Sequence, residues 1–234
     1  MHVTVNAMHS QGDRGIRQLW GLDEAPSRGP KARWSAAQLA ASGVELADEA
    51  GLDGVSLAKV AERLGMTTTA VYRYVESKAE LVELMVDEAV GDPPPLHGDD
   101  WRAQCRSWTA LLAERYAAHS WLSEIRPQRM PTAPRAYAWI DALVAAVERR
   151  TTADPLRLAL LLDGLVRSYA ALGADAGDAA PAWLQDAVAD RFPRLAAGAA
   201  RAEPSPRDEL AYAVGVVLDG LDEVDGPDGT HPPS

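Results

Sequence analysis

Apolar residues recur three and four positions apart along most of the chain and never settle into strict alternation, so the pattern predicts helices and no sheet. Residues 35–50 form the first firm helix: Leu39, Gly43, Leu46 and Ala50 share a face, and Ser35 to Gln38 reads as a capping box. Leu57, Val60, Ala61 and Leu64 give a second helix its stripe, opened by Ser56 as cap and stopped by Gly65. Thr67 caps a third helix, in which Val71 and Val75 point back towards the second. Ser77 opens a fourth with another capping box to Glu80, and Leu81, Val82, Leu84 and Met85 carry it towards Gly91. Three consecutive prolines at 93–95 then mark a domain boundary.

Beyond them the helical pattern continues. Asp99 or Asp100 caps a long helix striped by Trp101, Cys105, Trp108, Leu112 and Tyr116 and closed at His119 to Trp121. Residues 126–134 hold three prolines and read as a loop, and residues 135–150 are helical again, with Tyr137, Trp139, Leu143 and Val147 available for burial. Asp154-Pro155 and Ser205-Pro206 each place a cap before a proline at the first helical position and open two strongly apolar helices. A short helix is expected at 183–192 between flexible stretches at 175–177 and 197–204.

The two apolar helices, 155–172 and 206–222, carry more apolar surface than one core face uses. That predicts a homodimer through a four-helix bundle built from both chains; central core helices of a monomer are the alternative. The fold class is therefore all-α, an N-terminal three-helix helix-turn-helix domain at 34–91 joined to a larger helical ligand-binding and dimerisation domain at 96–224. A flexible arm at 1–33, with a brief helix at 16–20, precedes them, and a disordered tail at 225–234 follows.

With Val71 and Val75 turned inward, Thr67, Thr68, Thr69, Tyr72 and Arg73 form an outward face without a carboxylate. Hydroxyls, a phenol and a guanidinium donate to phosphate oxygens, and threonine or arginine also reads base edges in the major groove. Ser56 and Lys78 stand at helix starts, where free backbone N–H groups attract phosphate, and Tyr74 adjoins them. Arg28, Lys31 and Arg33 lie in an extended run before the first firm helix, either as a minor-groove extension or as a solvated linker. A plain αα-hairpin in a helical core is the competing reading, but it does not need a carboxylate-free polar face.

Gly54, Ser56, Val60-Ala61, Gly65-Met66-Thr67, Val71-Tyr72, Tyr74, Ser77-Lys78 and Leu81 resemble the DNA-binding domain of TetR-family transcriptional regulators. The resemblance covers residues 35–81 and implies a double-stranded DNA operator as partner, repression, and release by a small-molecule effector held in the C-terminal domain. Glu76, a carboxylate among the expected phosphate contacts, departs from that plan. Two reading heads related by a twofold axis require an inverted repeat. For the effector, Trp108, Tyr116, His119, Trp121, Arg126, Trp139 and Tyr169 combine aromatic walls with polar groups, although an aromatic stripe at helical spacing also builds a core. Arg126 followed by proline is similar to the inducer-sensing loop of the tetracycline-repressor branch.

Composition narrows this further. A net charge of −11 over 234 residues argues against nonspecific coating of nucleic acid and leaves room for a local reader. The single cysteine, Cys105, allows no internal disulfide, and no apolar run reaches membrane length, so no membrane partner and a cytoplasmic location are expected. Phosphate loops, a serine elbow and paired metal histidines are missing, so neither an enzyme nor a cofactor is expected. A helical ligand-binding or scaffold dimer that no longer binds DNA remains the alternative.

Overall fold

The computed structural model of the protein describes residues 14–22, 34–125, 131–174, 181–199 and 205–221. Among the described residues there are eleven α-helices, two short 3-10 helices and no strand. The chain divides into one unit of Met1–Pro93 with Glu124–Trp139 and a second of Pro94–Ser123 with Ile140–Ser234.

The first unit holds α1 (Arg14–Leu19), α2 (Ala36–Ala50), α3 (Leu57–Arg63), α4 (Thr68–Val71) and α5 (Lys78–Val90). Its core is the apolar spacing made physical: Leu39, Val60, Val71, Val75, Leu81, Leu84 and Met85 are all fully buried. Each such side chain contributes about 1.5–3 kcal/mol relative to exposure. The predicted caps satisfy the helix starts, Ser35, Ser56, Thr67 and Ser77 accepting from the backbone N–H of Gln38, Lys59, Ala70 and Glu80 at 3.1–3.2 Å. The Ser77 box closes on only one side. Glu80 does not return to Ser77 N–H; its oxygens accept from Gly15 N–H and Glu76 N–H, both at 2.6 Å, because α1 brings a second donor to the buried carboxylate.

The expected flexible arm is thus folded over residues 14–22. Ile16 is buried at 5% exposure, Trp20 Nε1 donates to the Thr132 carbonyl at 2.7 Å, and the Trp20 ring lies 5.8 Å from that of Tyr137. Residues 131–139, which the sequence pattern assigns to the second domain, pack with this unit. Arg135 secures them: its backbone N–H donates to Asp87 at 2.8 Å, and its guanidinium lies 2.8 Å from Glu88 and 3.4 Å from Asp92. Burial pushes the Asp87 carboxyl above its usual range despite these donors.

In the second unit α6 (Trp101–Ala118), α8 (Pro155–Ala174) and α11 (Pro206–Asp219) pack together. Trp101, Cys105, Trp108, Leu112 and Tyr116 meet Leu158, Leu162, Val166, Leu210, Val214 and Leu218, all buried. Asp100 and Asp154 cap α6 and α8, while Ser205 and Asp208 form a closed capping box at the start of α11. Arg102 donates to the Leu218 and Leu221 carbonyls at 3.3 and 2.6 Å, filling the acceptors left at the end of α11. Between them run α7 (Pro134–Val147), which starts in the first unit and ends in the second, α9 (Ala182–Arg191) and α10 (Pro193–Ala199). Residues 197–199, expected to be flexible, are helical, since α10 extends to Ala199, and the rest of that stretch lies outside the described residues.

Candidate nucleic-acid interface and cavity

Gly65 makes the turn between α3 and α4. Its φ of 62° is left-handed; its N–H donates to Glu62 at 3.1 Å while Met66 N–H reaches back to Ala61 at 2.9 Å. These paired bonds end α3 and release the chain at an angle that only glycine adopts cheaply. Thr67 restarts it. The regular part of α4 is shorter than the apolar spacing suggests: after Val71 the bonds tighten to three-residue steps, Arg73 to Ala70 and Tyr74 to Val71, before Val75 closes on Val71 at 3.1 Å. Val71 and Val75, fully buried on one side, fix which side chains remain outside.

Thr67, Thr68, Thr69, Tyr72, Arg73 and Lys78 are exposed, Tyr72 with half its surface free. Ser56 and Tyr74 are half-buried. The Ser56 hydroxyl oxygen is engaged with Lys59 N–H, and Lys59 Nζ donates to the Gly54 carbonyl at 2.8 Å. The fold therefore brings together five residues of one short segment and the start of α5. Arg28, Lys31 and Arg33 lie outside the described residues. Sequence reasoning missed Arg14, whose Nη1 donates to the Arg73 carbonyl at 3.2 Å and whose Nη2 lies 4.0 Å from Glu76. The signal was Ile16 between two arginines, an apolar residue with a basic flank. On the opposite flank Arg63 pairs with Glu49 and Glu45, and these hydrogen bonds raise the pKa of its guanidinium.

The second unit contains a cavity of about 620 Å³ between α6, α8 and α11. Tyr116 and Tyr169 stand in walls otherwise built largely from small or apolar residues such as Ala113, Ala117, Val166, Ala170 and Val214. Arg106 and Arg207 also line it, the first 3.7 Å from Asp219 and the second 3.9 Å from Glu114. Burial pushes the Tyr116 phenol up to about 12, so at neutral pH it is an uncharged hydrogen-bonding group. Of the six described residues expected to touch a ligand, only Tyr116 and Tyr169 line this space. Trp108 and Trp121 are core, and His119 sits beside Trp121 with ring centroids 6.2 Å apart. Trp139 belongs to the first unit, where its Nε1 donates to the Gly91 carbonyl at 2.9 Å. Arg126 lies outside the described residues. The alanines among the lining residues were the overlooked signal, because small side chains leave room in a cavity wall. Among the described residues no group of His, Cys, Asp and Glu is placed to hold a metal ion, and no helix is long and apolar enough to cross a membrane.

The family profile described as bacterial regulatory proteins, tetR family, matches residues 39–85, from α2 into α5. Residues 39–85 are therefore similar to the DNA-binding domain of the TetR family. It is 30% identical over 158 residues to the HTH-type transcriptional repressor DrrR1 of Streptomyces coeruleorubidus, covering 65% of this chain and 58% of that one. A second relative, an HTH-type transcriptional regulator of Saccharopolyspora erythraea, is 26% identical over 147 residues, 62% of each chain. The chain thus spans about three fifths of the relatives it matches. The fold extends further. The Streptomyces coelicolor TetR family protein ActR, in its complex with (S)-DNPA, superposes with a TM-score of 0.68 at 22% identity, covering 81% of this chain and 97% of ActR. An N-terminal helix-turn-helix domain joined to a helical C-terminal part is therefore the fold of this chain.

Proposed function

We propose that this chain is a sequence-specific transcriptional repressor, not an enzyme, that binds an inverted-repeat operator as a homodimer and is released by a small molecule. The observation that carries the reading is the exposed, carboxylate-free face of Thr67, Thr68, Thr69, Tyr72 and Arg73, set on two buried valines. Tyr72, Lys78 and Ser56 hold phosphates, while Arg73 and Thr68 read base edges. Arg28, Lys31 and Arg33 extend the contact towards the minor groove. The repressor name of DrrR1 supports the direction of control.

Dimerisation runs through α8 and α11. Leu156, Leu160, Leu161, Tyr212 and Val216 leave about half or more of their surface exposed, on the two helices whose apolar pattern exceeds one core face. Two heads then address half-sites about one helical turn, roughly 34–36 Å, apart. The effector occupies the cavity beside Tyr116 and Tyr169, and ActR's complex with (S)-DNPA supports a small molecule as its class. Such a ligand acts only by binding the DNA-free arrangement better than the DNA-bound one. Cytoplasmic residence follows from the role.

Selection of duplexes from a random-sequence pool tests the reading. Enrichment of a palindromic site is the expected result. A scaffold that has lost DNA binding, the reading Glu76 favours, enriches nothing at low salt.

A further inference from the structure

Helix α1 docks beside the reading face, although nothing in the helix-turn-helix itself requires it. Gly15 N–H donates to Glu80 Oε1 at 2.6 Å, and the other oxygen of the same buried carboxylate accepts from Glu76 N–H at 2.6 Å. One side chain therefore joins α1 to the end of the recognition segment. Gly15 is the point of closest approach: a Cβ there would stand 2.8 Å from Leu84 Cδ1 and 3.1 Å from the Tyr74 carbonyl oxygen. Leu84 is fully buried and cannot step aside freely. Ile16, at 5% exposure, adds apolar contact.

Arg14 completes the arrangement. It donates to the Arg73 carbonyl at 3.2 Å and lies 4.0 Å from Glu76, with half of its own side chain and about a third of that of Glu76 exposed. Glu76 is the one carboxylate between Gly65 and Ala79, and it stands between Arg73 and Lys78, where DNA phosphates would pass. A bare carboxylate there repels them, whereas a neighbouring guanidinium cancels its field over the distances that salt leaves unscreened.

We propose that α1 is a working part of the DNA-reading head: Gly15 holds the recognition segment in place through Glu80, and Arg14 is a positioning residue that neutralises Glu76 against the phosphate backbone. The proposal rests on the DNA-binding reading above.

Its test uses the full-length protein, the duplex it selects from a random pool, and fluorescence anisotropy at two salt concentrations. Arg14→Ala is expected to weaken binding about tenfold, and adding Glu76→Gln to that variant to recover most of the loss. A direct phosphate contact by Arg14 would overturn the neutralising role: it lowers the salt slope by about one and Glu76→Gln does not restore affinity. Gly15→Ala is expected to lose affinity by a similar factor well below its melting temperature, with helix content by circular dichroism retained. Affinity equal to the natural protein's, in that variant or in Arg14→Ala, would overturn the part assigned to α1. If the natural protein selects no duplex, the DNA-binding reading itself fails, before any variant is compared.

Discussion

The first unit buries Leu39, Val60, Val71, Val75, Leu81 and Leu84 completely, and the second leaves Leu156, Leu160, Leu161, Tyr212 and Val216 about half or more exposed. Polar groups show the reverse. In the first unit Glu80 and Asp87 are buried and bonded to backbone N–H groups of α1 and α7, whereas the ionic contacts at the cavity of the second, Arg106 with Asp219 and Arg207 with Glu114, sit in solvent. A reading head must hold a few side chains to a fraction of an ångström, and buried, fully bonded polar groups supply that rigidity. A dimerising, ligand-binding body needs apolar surface left for a partner and a space left for a guest.

The largest expected effect breaks the contrast on the apolar side. Leu160→Glu places a charge in the proposed bundle and should convert the protein to monomer by sedimentation velocity, with operator affinity falling about 100-fold or more as the second head is lost. A dimer of unchanged stability would assign these leucines another role. On the polar side, Arg73→Ala and Thr68→Ala should each cost about 1–3 kcal/mol at the selected site and relax preference at one base position. Tyr72→Ala and Lys78→Ala should weaken all duplexes alike. Equal loss across all sequences for all four would remove the base-reading assignment.

Smaller effects sharpen the same comparison. Arg135→Ala leaves the buried Asp87 short of its charged partner and should lower the stability of the first unit by about 1–3 kcal/mol in a urea melt. Arg207→Ala, a largely exposed residue paired at 3.9 Å, should shift the same melt by less than about 0.5 kcal/mol. The smallest effect is in pH dependence. Burial raises the Glu80 carboxyl above its ordinary 4.5, partly offset by backbone N–H donors at Glu76 and Gly15. Its contribution to stability is therefore greatest below 4.5 and declines as pH rises through the folded pKa. Glu80→Gln should flatten that slope, leaving the similar, separate slope from Asp87. In the second unit burial pushes Cys105 and Tyr116 up to about 12, outside this range.

How much of this the sequence discloses depends on the distance over which each feature is encoded. Gly65, Thr67 and the inward valines define the reading turn within about ten residues, so pattern and cap chemistry suffice. The docking of α1 is not legible in that way: one apolar residue, Ile16, is buried, and its partner Glu80 looks like half of a local capping box until Gly15 arrives from 65 residues away. Trp139 misleads for a similar reason, since α7 begins in the first unit and its indole finds Gly91 there. The cavity is half legible. Tyr116 and Tyr169 announce themselves by type, whereas the alanines that make room for a ligand resemble any helical filler.

The most direct test of the account is the stoichiometry and sequence of the complex with the selected duplex, read by anisotropy titration and sedimentation on the natural protein. Two chains on one palindromic site, with binding that weakens as salt rises, is the result this account predicts. A protein that dimerises through α8 and α11 yet enriches no sequence at low salt would contradict it.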